Sequence, residues 1–430
     1  MELTTPLYDE AAGPQAGGIE TQRRPLERTS PQAMAALRFD LDWACELAHH
    51  TETLFAGKLN LWRDILPPEI EHQIMGQPVG HRAAHAFAPG ELIPAHQEAE
   101  IKRVRHAQFD RRFAGRGTIQ PRAGRFYPRG MLEGVEGVYR ADRQPFRIAE
   151  VTTEGLLADL NNPLAGRPLA LGCTIEAIWA QGDERGGRCI EVADLVTAGG
   201  PGMQARWRGR PTDFWSDGPF HRQDPRPDSH FYAGPRLVDH IDRTAIGEIS
   251  ALYGRLIPEG ARILDLMASW HSHLPPGLGS SRVTGLGMNP EELDTNTALA
   301  ELVIRDLNQD PSLPFPDAAF DAVVCTVSVE YLTQPFAVFR EVARVLAPGG
   351  RFIVTFSNRW FPTKAIRLWE GIHEGERPGL VLEYFLESGL FSGLETWSLR
   401  GLPRPADDKY ADRLIHSDPV YAVWGERPLP

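Results

Sequence analysis

The chain has 430 residues, of which 42% are hydrophobic and 24% are charged, and this is the composition of an ordinary globular protein. Its net charge of −12 excludes a general nucleic-acid binder and a protein that binds anionic membranes by charge. The length predicts two domains and a linker, the first residues lack the apolar core of a signal peptide, and no run is long enough for a membrane span. The four cysteines are scattered without a C-x-x-C pair, so we expect a cytoplasmic protein without a disulfide framework.

The first half of the chain divides into three segments of different composition. Residues 1–35 are rich in Pro, Gly, Glu and Arg and lack periodicity, which predicts a disordered tail. Residues 36–198 carry short alternating segments, such as 39–47 and 169–179, that are typical of half-buried antiparallel strands. Residues 199–230 are dense in Gly, Pro, Arg and Asp, and we expect a linker or surface loop there.

Residues 231–430 have the pattern of a parallel α/β sheet. A helical pattern over 241–256 is followed by short apolar runs that end in polar or Gly-rich turns and are separated by helical stretches. In such a sheet a ligand lies outside the carboxyl ends of the strands, so the residues at those ends are the ones to inspect. The predicted strand ends follow residues 266, 287, 304, 326 and 356.

These strand ends resemble a class I S-adenosylmethionine-dependent methyltransferase of the type-11 kind. The first strand ends in Asp265, the second in Asn289 and the third in Asp306, and a Leu-Pro-Phe-Pro-Asp run precedes the fourth strand. The resemblance covers about residues 236–427. It implies a Rossmann-like α/β domain, S-adenosylmethionine as cofactor, and methyl transfer as the reaction.

The resemblance also implies which residues hold the cofactor. Asn289 stands where the family has an acidic residue for the ribose hydroxyls, and it also has the pattern of an N-cap before Pro290. The adenine is expected near Asp306. The predicted cofactor-binding residues are Asp265, Leu266, Ala268, Ser269, Met288, Asn289, Asp306, Leu307, Asn308, Cys325 and Val327.

The first loop departs from the family because Trp270, His271 and His273 stand where glycines are expected. Glycine permits positive φ and a close backbone approach, so the loop has to take another path. We expect His271, His273 or Tyr331 to be the base if the acceptor must lose a proton. No metal site is expected, because alternate residues of an extended loop point apart and no carboxylate or Cys cluster lies nearby.

Other polar and aromatic residues are predicted to contact the acceptor. An arm before the sheet offers residues that could close over the cofactor, and two strand ends offer more. These substrate candidates are Tyr232, Arg236, His240, Trp270, Asn358 and Arg359.

The N-terminal domain resembles a SlyD-type FKBP peptidyl-prolyl isomerase in a degenerate form. The segment Asp-Leu-Asn-Asn-Pro-Leu-Ala-Gly at 159–166, followed by a strand, carries the resemblance, and the run at 74–80 adds to it. The resemblance implies a mainly β, α+β fold with an inserted flap that binds unfolded chains. Trp43 and Trp62 are candidates for the aromatic cradle, although plain core packing is the simpler interpretation of such residues.

The leading hypothesis is a methyltransferase whose front domain presents an acceptor, either a small molecule or a protein. We expect no nucleic-acid partner. The first alternative is a peptidyl-prolyl isomerase or chaperone that carries an inactive methyltransferase-like domain. The second is a binding scaffold without activity.

Overall fold

The computed structural model describes residues 24–113, 118–182, 187–278 and 281–430. Most of the tail that the sequence predicts, residues 1–23, lies outside these ranges. The end of that predicted tail is ordered, because the first strand begins at Ala33.

The described residues form mainly strands in the N-terminal half and both strands and α-helices in the C-terminal half. The strands are β1 (Ala33–Ala44), β2 (His49–Asn60), β3 (Arg82–Phe87), β4 (Ile101–Val104), β5 (Phe126–Pro128), β6 (Pro145–Val151), β7 (Leu156–Asp159), β8 (Leu169–Ala180), β9 (Arg262–Ala268), β10 (Arg282–Gly287), β11 (Glu301–Ile304), β12 (Phe320–Thr326), β13 (Leu346–Phe356), β14 (Ser392–Arg400) and β15 (Val420–Glu426). The helices are α1 (Pro68–Ile74), α2 (Val192–Thr197), α3 (Asp228–Phe231), α4 (Arg243–Leu256), α5 (Pro290–Thr295), α6 (Pro335–Val345), α7 (Arg367–Gly371) and α8 (Arg377–Ser388). Within these ranges, no helix combines the length and the apolar character that crossing a bilayer requires.

One 11-stranded sheet runs through both halves of the chain. Its order is β11-β10-β9-β12-β13-β15-β14-β2-β1-β8-β3. The two halves meet where β14 pairs in parallel with β2, with Ser398 opposite Glu52 in the register. The boundary that the sequence predicts at residues 199–230 is therefore a boundary along the chain but not in the sheet.

The C-terminal half is a Rossmann-like sheet. Strands β11, β10, β9, β12 and β13 are parallel, and β15 and β14 complete the sheet in an antiparallel pair. The strands are apolar on both faces because helices α6 and α8 cover one face and α4 covers the other. The predicted helix over 241–256 corresponds to α4, and Asp242 caps it by accepting from the amides of Thr244 and Ala245.

Two of the expected crossover helices are absent from the described residues. Between β9 and β10 there is only a short 3-10 turn at Pro276–Leu278, and between β11 and β12 the chain is irregular. Proline explains both departures, since Pro275 and Pro276 interrupt the first connection and Pro311, Pro314 and Pro316 interrupt the second. The strands β11, β10, β9, β12 and β13 are parallel although these helices are missing from the described residues.

The N-terminal half is built on the antiparallel strands β2, β1, β8 and β3. Alternate residues of β1 point into one core with α1 and α2, as the period of two in the sequence predicts. Between β3 and β8 the chain inserts a separate 4-stranded sheet of order β4-β7-β6-β5. This inserted sheet has its own core, around Phe146 and Ile148.

The segment 199–230 is mostly irregular, and its first part, residues 200–205, is buried. Met203 and Gln204 belong to this buried part, and farther on Trp215 stacks on Tyr384 of α8 with ring centroids 6.1 Å apart. The Gln204 amide donates to buried Glu52, and that carboxylate also accepts from the Ser398 hydroxyl across the β2–β14 junction. The segment therefore fastens the two halves together.

Candidate functional site

The sheet has its topological switch point between β9 and β12. From β9 the chain proceeds to β10 on one side, whereas from β12 it proceeds to β13 on the other side. The two loops that leave the carboxyl ends of these strands diverge, and this is where open α/β sheets bind ligands. The candidate site is built from the residues after β9 and β12 and from their neighbours.

Near its end, β9 adopts a backbone conformation that glycine favours, although no glycine is present. Met267, the penultimate residue of β9, has φ of 61°, in the left-handed region that L-residues other than Gly seldom adopt. It is the extra residue of a bulge, since Leu286 pairs with Leu266 and Gly287 pairs with Ala268. A side chain at position 287 would meet the Ala268 carbonyl oxygen at 2.3 Å, so that glycine lets β10 approach the bulge.

Asp265 is a buried acid directly before this bulge. Its side chain is 3% exposed, and burial raises its pKa to about 7 although the Ser272 hydroxyl bonds to it. The Oδ2 atom has no hydrogen-bond partner within the described residues. A buried oxygen without a partner is costly, so a donor from a ligand or a water is expected there.

The rest of the first loop is tied to α5. Ser269 donates to Glu292 at 2.6 Å, and the Asn296 amide donates to the Ser269 carbonyl and to the Ser272 hydroxyl at 2.8 and 2.9 Å. Trp270 is half-buried, and its indole donates to the Val238 carbonyl at 3.2 Å. The bulky residues thus carry the loop toward the arm that precedes α4.

The predicted histidine bases lie together, but they differ in their surroundings. The rings of His271 and His273 are 4.2 Å apart, and His271 Nδ1 lies 3.5 Å from Asp239. Burial, with smaller contributions from His271 and His240, lowers the pKa of His273 to about 3. His273 is therefore neutral at physiological pH and a weak base. No group of three or more His, Cys, Asp or Glu in the described ranges is arranged to hold a metal ion.

Asn289 acts as the N-cap of α5, as the sequence predicts. Its Oδ1 accepts from the amides of Glu291 and Glu292 at 3.0 and 3.1 Å, and its Nδ2 donates to the carbonyls of Tyr232 and Ala233 at 3.0 and 3.4 Å. These bonds use both acceptor positions and both donors of the side chain. In this arrangement Asn289 has none left for a ribose diol, which the resemblance assigns to it.

After the third strand of the motif, β11, the side chain of Asn308 is fully hydrogen-bonded and that of Asp306 is not. Asn308 donates to Asp228 and to the Tyr331 carbonyl, and it accepts from the amide and hydroxyl of Thr333. Asp306 accepts from the Asn308 amide through Oδ1, whereas its buried Oδ2 has no hydrogen-bond partner. Leu307 is part of the hydrophobic core. Of the three predicted residues here, Asp306 alone keeps a buried oxygen without a partner.

The end of β12 is strained and buried. Val327 has φ of 48°, which is rare for a β-branched residue, and its amide donates to the Thr355 carbonyl at 2.8 Å. Cys325 is 1% exposed in the core. The Tyr331 hydroxyl accepts from the Phe361 amide at 2.9 Å, and burial raises the pKa of this phenol well above its usual range. Tyr331 is therefore a poor proton acceptor at neutral pH.

The arm at residues 231–240 packs beside these strand ends. The Arg236 amide donates to Glu292 at 2.7 Å, and the Arg236 guanidinium lies 4.4 Å from the Phe231 ring. Burial raises the pKa of the Tyr232 phenol and lowers that of His240. The predicted lid residues thus lie near the first loop and α5.

The other predicted residues fall into two groups. Arg359, after β13, is 5% exposed, with its guanidinium 4.4 Å from the Tyr410 ring and 3.7 Å from Asp418. Trp43 belongs to the core of the N-terminal half and stacks on His50 at 3.8 Å, while Trp62 is 42% exposed. The remaining positions are structurally unremarkable: Leu266 and Ala268 are buried, and Met288 and Asn358 are half-buried.

Two buried charged residues were missed by the sequence analysis. Glu330 follows β12 and is 0% exposed, and Arg377 begins α8 and is 2% exposed. Burial raises the pKa of Glu330 to about 8, with Arg377 acting in the opposite direction. The available signal was Glu330 itself, which lies next to Tyr331 at the fourth strand end. Arg377 comes from a distant helix, and no spacing in the sequence connects the two.

Comparison with known proteins finds similarity to methyltransferases over part of the chain. A family described as a methyltransferase domain matches residues 268–354. A fatty-acid O-methyltransferase of Mycolicibacterium smegmatis is 35% identical over 141 residues, which are 31% of this chain and 49% of that protein. A ubiquinone/menaquinone biosynthesis C-methyltransferase of Cronobacter sakazakii is 29% identical over 121 residues, 28% of this chain and 42% of that protein. The matched segments span about half or less of these relatives.

Solved structures with partial similarity include methyltransferases. An S-adenosylmethionine-dependent methyltransferase of Mesorhizobium loti is 18% identical, covers 41% of this chain and 96% of its own, and has a TM-score of 0.27. One from Aquifex aeolicus is 16% identical, covers 43% and 91%, and has a TM-score of 0.30. The Rossmann-like description of the C-terminal half rests on its own strand order.

Residues 268–354 thus match a methyltransferase-domain family, and this match indicates S-adenosylmethionine as the cofactor. The chain's residues fit the two ends of this molecule. Asp265 and Asp306 each keep a buried carboxyl oxygen without a partner among the residues that the structure describes, which suits the ammonium at one end and the adenine amino group at the other. The ribose has to find a partner other than Asn289.

Proposed function

We propose that the chain is an S-adenosylmethionine-dependent methyltransferase that binds its cofactor and acceptor at the carboxyl ends of β9, β12 and β13. The observation that carries this proposal is the Met267 bulge beside Asp265. Met267 holds a positive φ next to the switch point although it is not a glycine. Backbone strain of this kind clusters at functional sites.

When bound, S-adenosylmethionine supplies an electrophilic methyl group on a sulfonium. Asp265 would hold the ammonium end, Asp306 would hold the adenine end, and the loop after β9 would pass beside the methionine portion. Val327 and Cys325 belong to the end of β12, on the other side of β9 from Asp306. These residues position the reactants and exclude water, which is most of what a methyl transfer needs from the protein.

Proton removal is a minor part of this mechanism. His273 is neutral with a lowered pKa, and Tyr331 keeps its proton, so neither is suited to act as a base near neutral pH. His271 is the predicted base whose position next to Asp239 suits the role. An acceptor that is already an anion would need no base at all.

Isothermal titration with S-adenosylhomocysteine tests the proposal. At about pH 8.5, above the raised pKa of Asp265, Asp265→Asn removes the charge opposite the ammonium, and we expect binding to weaken about tenfold, equivalent to about 1.4 kcal/mol. Asp321→Asn is the matched control, since Asp321 lies at the amino end of β12 and pairs with Arg262. Absence of binding to the unmodified protein at millimolar ligand would refute the proposal.

The N-terminal half carries an inserted sheet, and an inserted flap is what its resemblance to a SlyD-type isomerase implies. Two strands, a helix and a strand precede the inserted 4-stranded sheet, and one strand follows it. The inserted sheet is fastened to the other half, because Arg125 forms a buried pair with Glu376 at 3.1 Å and the Phe126 amide donates to the same carboxylate at 3.0 Å. We therefore propose that the inserted sheet is a rigid structural element that packs beside the start of α8. A proline-peptide isomerisation assay tests the alternative, and measurable activity would favour the isomerase.

A further inference from the structure

A set of buried polar atoms without hydrogen-bond partners surrounds Arg377. The Arg377 Nε donates to the Trp369 carbonyl at 3.3 Å, whereas Nη1 has no partner within the described residues. The guanidinium carbon lies 4.3 Å from the Trp360 ring and 5.5 Å from the Trp369 ring. Both indole nitrogens and the hydroxyl of Tyr421 are also buried without partners.

Glu330 belongs to the same region. Both of its carboxyl oxygens are buried without a hydrogen-bond partner in the described ranges. Arg377 is the cation that acts on its carboxyl group electrostatically, yet the two side chains do not share a hydrogen bond. Glu330 and Arg377 are both buried, and neither satisfies the other by a hydrogen bond, so each keeps polar atoms available to a third group.

Arg377 forms no salt bridge to a carboxylate within the described residues. Glu376, which precedes it, is engaged by Arg125 of the inserted sheet, and half-buried Glu374 acts on Arg377 electrostatically without a hydrogen bond to it. The guanidinium carries its charge at every pH that proteins tolerate. Buried charges in native proteins are paired, so an anionic oxygen is the occupant that best matches Arg377.

We propose that Arg377 and Glu330 bind the carboxylate of an organic acid, with Trp360, Trp369 and Tyr421 contacting its apolar part. The proposal rests on the proposed methyl transfer and identifies the chemical class of the acceptor. Glu330 follows β12 and Trp360 follows β13, so the group lies at the carboxyl ends of the strands next to the switch point. The inserted sheet takes part by positioning the start of α8 through Arg125 and Glu376.

The protonation of Glu330 makes binding depend on pH. While Glu330 is neutral it can donate its proton to the bound carboxylate, and once ionised it repels that carboxylate. The groups that act on Glu330 or respond to it are Arg377, Cys325, Tyr331 and Tyr232. Glu374, Glu376 and Tyr421 act on Arg377.

The experiment compares two acids, benzoate and octanoate, with benzamide and octanamide, by isothermal titration on the full chain without cofactor. We expect at least one acid to bind at pH 7 tenfold or more tightly than its amide. Arg377→Met should abolish this preference, and Arg377→Lys should retain part of it. Arg351→Met, in the middle of β13 where Arg351 pairs with Glu426, should leave it unchanged. Raising the pH to 9 should weaken binding of the acid to the unmodified protein but not to Glu330→Gln.

Equal binding of acids and amides, or a preference that persists in Arg377→Met, would overturn the proposal. Binding of neither acid would mean that ordered water alone occupies the region, which also overturns it. Should Arg377→Met fail to fold, the acid-to-amide ratio and the pH response of Glu330→Gln decide. Titration with S-adenosylhomocysteine is independent, so its failure would end the proposed function while acid binding could still be observed.

Discussion

Met267 constrains which side chains its position tolerates. Its backbone is held at positive φ while its side chain packs against the main core. A β-branched residue suffers more than an unbranched one in this conformation. We predict that Met267→Ile lowers the free energy of unfolding by about 1–2 kcal/mol relative to Met267→Leu, which has the same side-chain volume. Urea denaturation of both variants measures the difference, and equal stabilities would show that the bulge does not constrain position 267.

Glu330 predicts a pH dependence that can be isolated in one variant. Its pKa is raised from 4.5 to about 8 in the folded protein, so folding retains a proton that the unfolded chain releases. The stabilising effect is complete below pH 4.5 and is lost as the pH rises toward 8. Relative to Glu330→Gln, the unmodified protein should lose about 1.4 kcal/mol of unfolding free energy per pH unit between pH 5 and 8.

Denaturant titrations of both proteins at pH 5.5, 6.5 and 7.5 measure this trend. All other titrating groups are shared, so their effects cancel in the difference. A constant difference across this range would mean that the Glu330 carboxyl group is solvated in solution.

At the scale of elements, α5 and the arm depend on the same side chain. Asn289 caps α5 through its oxygen and holds the carbonyls of Tyr232 and Ala233 through its nitrogen. Asn289→Asp keeps the capping oxygen but loses the donor, whereas Asn289→Ala loses both. We predict that each variant loses at least about 1 kcal/mol of stability: the Ala variant through the lost cap, and the Asp variant because a carboxylate oxygen then faces the two carbonyl oxygens.

The arm should respond to both variants. Tryptic cleavage after Arg236 is expected to accelerate several-fold in Asn289→Asp and in Asn289→Ala, because each loses the tether to the carbonyls. The contact between the Arg236 amide and Glu292 remains in both and limits the effect. Unchanged cleavage in the Asp variant would mean that the Asn289 amide does not hold the arm.

The elements of the C-terminal half were predictable because their apolar runs are local signals. The strands around Asp265 and the cap at Asn289 follow from neighbouring residues alone. Three features were not predictable. The bulge at Met267 depends on how closely β10 approaches β9, and the Glu330–Arg377 region joins residues 47 positions apart through tertiary packing. The hydrogen bond from the Asn289 amide to the arm likewise joins residues that are more than fifty positions apart.

At the scale of the molecule, the continuous sheet makes the two halves one mechanical unit. The predicted domain boundary separates segments of chain, yet β2 and β14 pair side by side with buried polar contacts between them. His50 bonds to Thr396 at 2.7 Å, and the Trp397 indole donates to Thr53 at 3.2 Å. An edge strand that a partner strand covers in this way has little tendency to separate.

Glu52 is the point at which this coupling can be tested. It is 4% exposed and accepts from Ser398 of β14 and from Gln204 of the buried connecting segment. Glu52→Ala leaves both donors buried without an acceptor, so we predict a loss of about 2–4 kcal/mol. Because the sheet is continuous, hydrogen exchange in β1 and in β13 should become faster by the same factor. Glu395→Ala, an exposed change on β14, should alter neither. Faster exchange confined to β1 would show instead that the halves unfold independently, and the inserted sheet could then act as a separate module.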